Sequence, residues 1–214
     1  MSFLTVSNLR KQQQGALVVN DVSFTLQPFH KIAIAGETGS GKSTLLKMIA
    51  GLLPFEGDIM FGAISQRTSP IHYRRQVSWA EAEPLYPSFV TGRDLLELYR
   101  HIREVKKNEA ESLLQSFTMT GYIDEPTGAY SAGMTKKLSL LLAFTGLPSI
   151  CLLDEPFITL DDGSAEFISD LIIEEHERTG TTFIISSHQE TDLAVFNRCE
   201  KLFIVNQHVS FESN

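Results

Sequence analysis

The chain has 214 residues, 43% of them hydrophobic and 21% charged, with a formal net charge of -8. That length suits one well-buried α/β domain, and the acidic balance argues against a broad nucleic-acid footprint, leaving room only for a local basic patch such as Lys106-Lys107. No stretch approaches the ~18 apolar residues of a membrane span, and Met1–Thr5 lacks the basic-then-apolar pattern of a leader, so the expectation is a cytosolic chain unless another protein holds it at a membrane.

In chain order, short strand-like runs come first: Phe3–Val6, Leu17–Val19 and Val22–Leu26. Lys31–Ala35 follows as a buried strand, and Thr44–Ala50 carries Leu45, Leu46, Met48 and Ile49 at helical spacing. Between them Gly36-Glu37-Thr38-Gly39-Ser40-Gly41-Lys42-Ser43-Thr44 matches G-x-x-x-x-G-K-[ST], a phosphate-binding loop (P-loop). The glycines let successive backbone N–H groups face an anion, and the helix N-terminus behind the loop favours negative charge. Lys42 is the expected ligand of β- and γ-phosphates and Ser43 of Mg²⁺.

Further strands are expected at Gly57–Phe61 and Gln76–Ala80. The middle changes character: Gly92–Arg103, Asn108–Phe117 and Met134–Phe144 read as helices, with no convincing strand between about Gly92 and Leu147. Alternation then returns with a strand at Ile150–Leu153, a helix at Ser164–Glu177, a strand at Thr181–Ser186, a helix at Glu190–Arg198 and a strand at Lys201–Val205. Such alternation implies a mostly parallel sheet covered on both faces, with a helical insertion. The two cysteines, Cys151 and Cys199, show no metal-ligand spacing and are read as reduced core residues. The six histidines form no H-x-x-x-H pair, and only His188 has a suggestive setting.

Ligands of parallel sheets gather at the carboxyl ends of strands. Four chemically suggestive positions come directly after four strands here: the P-loop after Ala35, Glu81 after Ala80, Asp154-Glu155 after Leu153, and His188 after Ser186-Ser187. Adjacent residues leaving a strand point in different directions, so Asp154 is assigned to Mg²⁺ and Glu155 to the attacking water as general base.

With these residues in place the chain resembles an ATP-binding-cassette (ABC) nucleotide-binding domain, from Leu4 to about Phe211. The family's signature, usually Leu-Ser-Gly-Gly-Gln, corresponds to Tyr130-Ser131-Ala132-Gly133-Met134, followed by Lys136-Lys137-Leu138. The resemblance implies an α/β P-loop NTPase in which a mostly parallel sheet is joined by an N-terminal antiparallel β subdomain. Residues 1–214 then form one ABC ATPase domain, with a helical subdomain at about 92–147. It also implies that Ser131 and Gly133 grip the γ-phosphate of ATP held by a second subunit, that Leu160 and Asp161 form a dimer-contact loop, and that His188 senses γ-phosphate. The implied partners are a second ATPase copy and a separate transmembrane permease; Trp79, Tyr86, Phe89 and the helix from Gly92 are expected near the permease-docking groove. ATP and Mg²⁺ are the implied cofactors, and the implied location is the cytoplasmic face of the membrane through the permease.

The sequence departs from the family in three places. A Gln usually approaches Mg²⁺ after the strand that ends at Ala80; here the candidates are Glu81, Ala82 and Glu83, with Glu81 preferred. The aromatic that stacks on adenine gives way to Gln12-Gln13-Gln14 ahead of Gly15. Ala132 and Met134 replace the usual Gly and Gln of the signature, and Tyr-Ser-x-Gly-Met resembles drug and polysaccharide exporters, while Ser-Ala-Gly with Asp-Glu-Pro-Phe resembles haem-exporter ATPases. The expected function is therefore an ATPase subunit that dimerises to drive export. The competing readings are a soluble ABC-type ATPase in a non-transport process and a regulatory ATP-binding protein with weak hydrolysis.

Overall fold

A computed structural model describes residues 4–13, 15–188, 192–205 and 208–211. In chain order the elements are β1 (Leu4–Gln13), β2 (Ala16–Leu26), β3 (Lys31–Ala35), α1 (Lys42–Ile49), β4 (Glu56–Phe61), β5 (Ile64–Ser65), α2 (Pro70–Arg75) and β6 (Val77–Ala80). Then come α3 (Gly92–Ile102), α4 (Lys107–Ser116), α5 (Ala132–Phe144), β7 (Ile150–Asp154), α6 (Asp162–Thr179), β8 (Thr182–Ser187), β9 (Glu200–Val205) and β10 (His208–Phe211). An antiparallel sheet has the order β2-β1-β4-β5, and a larger sheet the order β10-β9-β3-β8-β7-β6, parallel except for β10.

The side-chain period of the central strands explains how that larger sheet is covered. Ile150, Leu152 and Ile184 belong to a core shared with β1, β2, β4 and α1, whereas Cys151, Leu153, Phe183 and Ile185 belong to a second core built with α3, α4, α5 and α6. Alternate residues thus feed opposite faces, and both faces being apolar makes these strands continuous hydrophobic runs. Burial pushes the Cys151 and Cys199 thiols up to about 12, in keeping with unreactive, reduced cysteines.

Several elements differ from the sequence expectation. The runs Leu17–Val19 and Val22–Leu26 are one strand, β2, interrupted in pattern by Asp21 at φ 50°. Its neighbour Asn8, at φ 51°, donates from Nδ2 to Asp21 Oδ1 at 2.9 Å, and the β1–β2 register shifts there, so a bulge breaks the alternation without ending the pairing. β1 likewise runs on through Ser7–Gln13, polar except for buried Leu9, because backbone pairing to β2 and β4 does not need apolar side chains. Phe3, expected at its start, lies outside the described residues. The expected helix Glu190–Arg198 is a correction: 189–191 lie outside the described residues, and 192–198 hold only a 3₁₀ turn at Phe196–Arg198. β5, α2 and β10 were not expected; each is short or polar and so leaves little periodicity to read.

Between β6 and β7 lie α3, α4, α5 and a 3₁₀ turn at Thr127–Ala129, with no strand among the described residues, as expected. α3 starts sharply because Thr91 Oγ1 accepts from Asp94 N–H at 3.0 Å while Asp94 Oδ2 accepts from Thr91 N–H at 3.1 Å, a reciprocal cap. α6 starts at the Asp161 cap and stops at Gly180, φ 72°.

Candidate active site

Sheet order brings the suggestive strand ends together. β3 lies beside β8, β8 beside β7 and β7 beside β6, all parallel, with Ala35 opposite Ser187, Asp154 opposite Ser186 and Ala80 opposite Leu153. The P-loop, His188, Asp154-Glu155 and Glu81 therefore open onto one rim.

The loop after β3 turns into α1 through Gly41, whose φ of 103° is unfavourable for any side chain and whose absent Cβ would sit 3.0 Å from the Val18 carbonyl oxygen. Lys42, 6% exposed as a residue, folds its ammonium back to donate to the carbonyls of Gly36 at 2.6 Å and Glu37 at 3.1 Å. Ser40 Oγ is buried with no hydrogen-bond partner among the described residues. A ring of carbonyl-bound ammonium, unpartnered hydroxyl and helix N-terminus suits a phosphate chain.

Two strands away, Asp154 is 1% exposed. Its Oδ1 accepts from Ser43 Oγ at 3.0 Å and from Ser186 Oγ at 2.6 Å, and Ser186 Oγ in turn accepts from Glu155 N–H at 3.0 Å. One hydroxyl and one carboxylate form a sparse oxygen donor set, which fits a Mg²⁺ that takes its remaining ligands from phosphate and water. No cluster of three or more His, Cys, Asp or Glu suited to a metal exists among the described residues, so an all-protein cage is not what the site offers.

Glu155 stands at φ 46°, an unusual backbone state for a residue with a side chain. Its Oε2 lies 2.9 Å from His188 Nδ1. Sequence reasoning thus named Lys42, Ser43, Asp154, Glu155 and His188, and the fold brings them to one place.

Ser131 caps α5, its Oγ accepting from Met134 N–H at 3.2 Å, and it is exposed. Gly133 is needed for packing: a Cβ there would lie 2.9 Å from the Thr159 carbonyl oxygen, where the loop between β7 and α6 crosses the helix. Asp161 Oδ1 accepts from Ser164 N–H at 2.9 Å and its Oδ2 from Ser164 Oγ at 2.7 Å; these bonds hold its carboxyl below the usual range. Leu160 is half-buried against the second core.

The Glu81 carboxylate faces Lys47 of α1, 2.5 Å away, and the hydrogen bonds and ion pairs of Ser43 and Asp154 do not include it. Among the aromatics expected near a docking groove, Trp79 and Tyr86 are packed against the two cores, and only Phe89 is strongly exposed. Gln12 and Gln13 end β1, while Gln14 lies outside the described residues.

Sequence reasoning missed Lys136. It is 1% exposed on α5, and its ammonium donates to the carbonyls of Glu81 at 2.9 Å, Ala82 at 2.8 Å and Asp154 at 3.2 Å. Burial lowers its pKa to about 8, against the opposing pull of Asp154, Glu155, Glu81 and Glu83. The available signal was a lysine two residues ahead of the buried run Leu138–Phe144. Ser186 and Val18 were also missed as parts of the site, being ordinary strand residues in sequence.

The family model described as ABC transporter matches residues 19–158. The chain belongs to the ABC transporter family. Two similar ABC proteins from Bacillus subtilis (strain 168) are the ABC-type transporter ATP-binding protein EcsA, 29% identical over 88% of this chain and 78% of that one, and the ATP-binding protein NatA, 30% identical over 88% and 79%. A solved ATP-binding subunit of an ABC transporter is 26% identical and superposes with a TM-score of 0.87 over 99% of this chain and 90% of its own. A dimeric ATP-binding cassette bound to ADP and Pi shares the fold, with a TM-score of 0.82, 19% identity and 98% of each chain covered. The mixed α/β fold, with its antiparallel N-terminal sheet, is that of ABC ATPases, and the chain is an ATP-binding ABC ATPase subunit.

Proposed function

We propose that this ABC ATPase hydrolyses ATP at the rim where Ser43 and Asp154 meet beside the P-loop, as half of a two-site dimer that drives a separate transmembrane permease. The observation that carries this reading is the Ser43 Oγ to Asp154 Oδ1 contact of 3.0 Å, with Glu155 and His188 paired at 2.9 Å next to it. Lys42 and the loop residues Gly36–Thr44 bind the triphosphate, and Lys42 exchanges its Gly36 and Glu37 carbonyls for phosphate oxygens. Ser43 and Asp154 hold Mg²⁺, which when bound screens phosphate charge. Glu155 accepts the proton of the attacking water, and His188, in contact with the same carboxylate, orients it.

Ser131 and Gly133 at the N-terminus of α5 serve the ATP of the second copy, and Leu160 and Asp161 lie at the same contact; exposure of Ser131 supports this role. We read residues 1–214 as one cassette with a helical subdomain of about 92–147. No helix among the described residues is long and apolar enough to cross a membrane. In this reading the permease is a separate partner that holds the chain on the cytoplasmic face. Leu85 and Phe89, 92% and 81% exposed before α3, with Leu98 and Ile102 one turn apart on it, supply apolar surface for that contact. Outward transport is the direction suggested by the exporter-like signature Tyr130–Met134.

The test is Glu155→Gln. Turnover is expected to fall by about 10²-fold or more while ATP binding persists and an ATP-dependent dimer accumulates on size exclusion. Undiminished hydrolysis overturns the role given to Glu155.

A further inference from the structure

The loop leaving β6 is gripped from two sides. Lys47, in the last turn of α1, holds the Glu81 carboxylate at 2.5 Å. Lys136, on α5, gives its ammonium to the carbonyls of Glu81, Ala82 and Asp154. An ammonium has three protons, and here each has an acceptor. A buried cation with its donors satisfied is a fixed point, and removing it leaves carbonyls stranded. The Lys47–Glu81 pair differs, because its side chains are 32% and 37% exposed, so water and salt weaken it and it opens at little cost.

The two lysines belong to different working parts. α1 begins at the P-loop with Lys42, and α5 begins at the Ser131 cap. The residue they share, Glu81, lies with Ala82 where the chain passes from the sheet into the helical insertion. Lys136 also ties that crossing to the backbone of Asp154 itself.

We propose that Lys136 and Lys47 are positioning residues that make the Glu81-Ala82 loop a joint between the P-loop helix and the signature helix: Lys136 is its fixed half and the Lys47–Glu81 pair its releasable half. Glu81 then acts through Lys47, outside the metal shell. The inference rests on the hydrolysis reading above. Because the ammonium contacts of both lysines fall on the Glu81-Ala82 loop and the Asp154 carbonyl and not on the P-loop, the joint sets how fast a bound ATP is turned over and has little influence on how tightly it is held.

The experiment compares kcat, KM for ATP, the Mg²⁺ concentration at half-maximal rate and thermal melting of the full chain. The variants are Lys136→Met, Lys136→Arg, Lys47→Met, Glu81→Gln and the Lys47→Met/Glu81→Gln double, beside wild type and Glu155→Gln. Lys136→Met is expected to lower kcat about tenfold with KM within about twofold, and Lys136→Arg, which keeps charged donors, to recover most of that loss. Lys47→Met and Glu81→Gln are each expected to change kcat by about twofold to fivefold, with the double variant no different from either single one.

The joint is overturned by Lys136→Met keeping kcat within about twofold of wild type, by Lys136→Arg faring no better than Lys136→Met, or by the effects at Lys47 and Glu81 multiplying. A shift in Mg²⁺ half-saturation in Glu81→Gln that Lys47→Met does not share also overturns it, by returning Glu81 to the metal. If Lys136→Met fails to melt cooperatively, the Lys47/Glu81 cycle decides. Hydrolysis left unchanged by Glu155→Gln strikes the hydrolysis reading instead, and the cycle still reads the joint in kcat.

Discussion

Asp154 and Glu155 are neighbours with the same chemistry, and the fold treats them in opposite ways. Asp154 closes a strand, is buried, and has one oxygen saturated by the hydroxyls of Ser43 and Ser186. Glu155 leaves the strand in the left-handed region and turns its carboxylate to His188. That backbone state costs a residue with a Cβ on the order of 1 kcal/mol, a cost glycine escapes. Comparing Glu155→Gly with Glu155→Ala isolates it, since both lose the carboxylate: the glycine variant should melt higher, by about 2–4 °C per kcal/mol for a chain of this size. Equal melting temperatures would show that residue 155 bears no strain. At this scale the sequence is legible where a side chain's identity carries the role, as for Lys42, Ser43 and His188. Lys136 was illegible because its partners are backbone carbonyls at 81, 82 and 154, and a carbonyl leaves no mark in sequence.

The longer helices α3 to α6 are legible for a related reason, whereas six-residue α2 was not, and the helix expected at Glu190–Arg198 has only a 3₁₀ turn in its described part. α3 shows its apolar residues at helical spacing, and α5 carries its buried run from Leu138 to Phe144, although the Thr91–Asp94 cap of α3 went unread. Strand ends are harder, since β1 and β2 extend through polar residues by backbone pairing, and a bulge at Asn8 and Asp21 hides the continuity of β2. For α5 the cap has a consequence separable from any role toward a second copy. Ser131→Ala removes the acceptor for Met134 N–H and should cost about 1 kcal/mol, a fall in melting temperature of about 2–4 °C in the absence of nucleotide. An unchanged melt would mean that water caps the helix equally well, leaving Ser131 free of structural duty.

For the molecule as a whole, the alternation of strands and helices was enough to foresee a sheet covered on both faces, and the rim was foreseeable from the polar residues at the carboxyl end of each strand. The antiparallel closing strand β10 and the pairing order that sets β3 beside β8 come from long-range contacts without a local signature. β7 has a place in that order with a consequence for how the molecule opens. Ile150 and Leu152 are roots of one core, and Cys151 and Leu153 are roots of the other, so the strand is a party wall between two rooms. Neither core can loosen fully while this wall is pinned by the other. Amide hydrogens of Cys151–Leu153 should therefore exchange only by global unfolding, while those of exposed Leu85–Phe89, beyond the Lys136 grip, exchange through local openings many times faster. Native-state hydrogen exchange reads this directly, and comparable protection in the two segments would refute it. Asp154 is thus mounted on the last piece of the protein to let go, with Leu85 and Phe89 on one of the first.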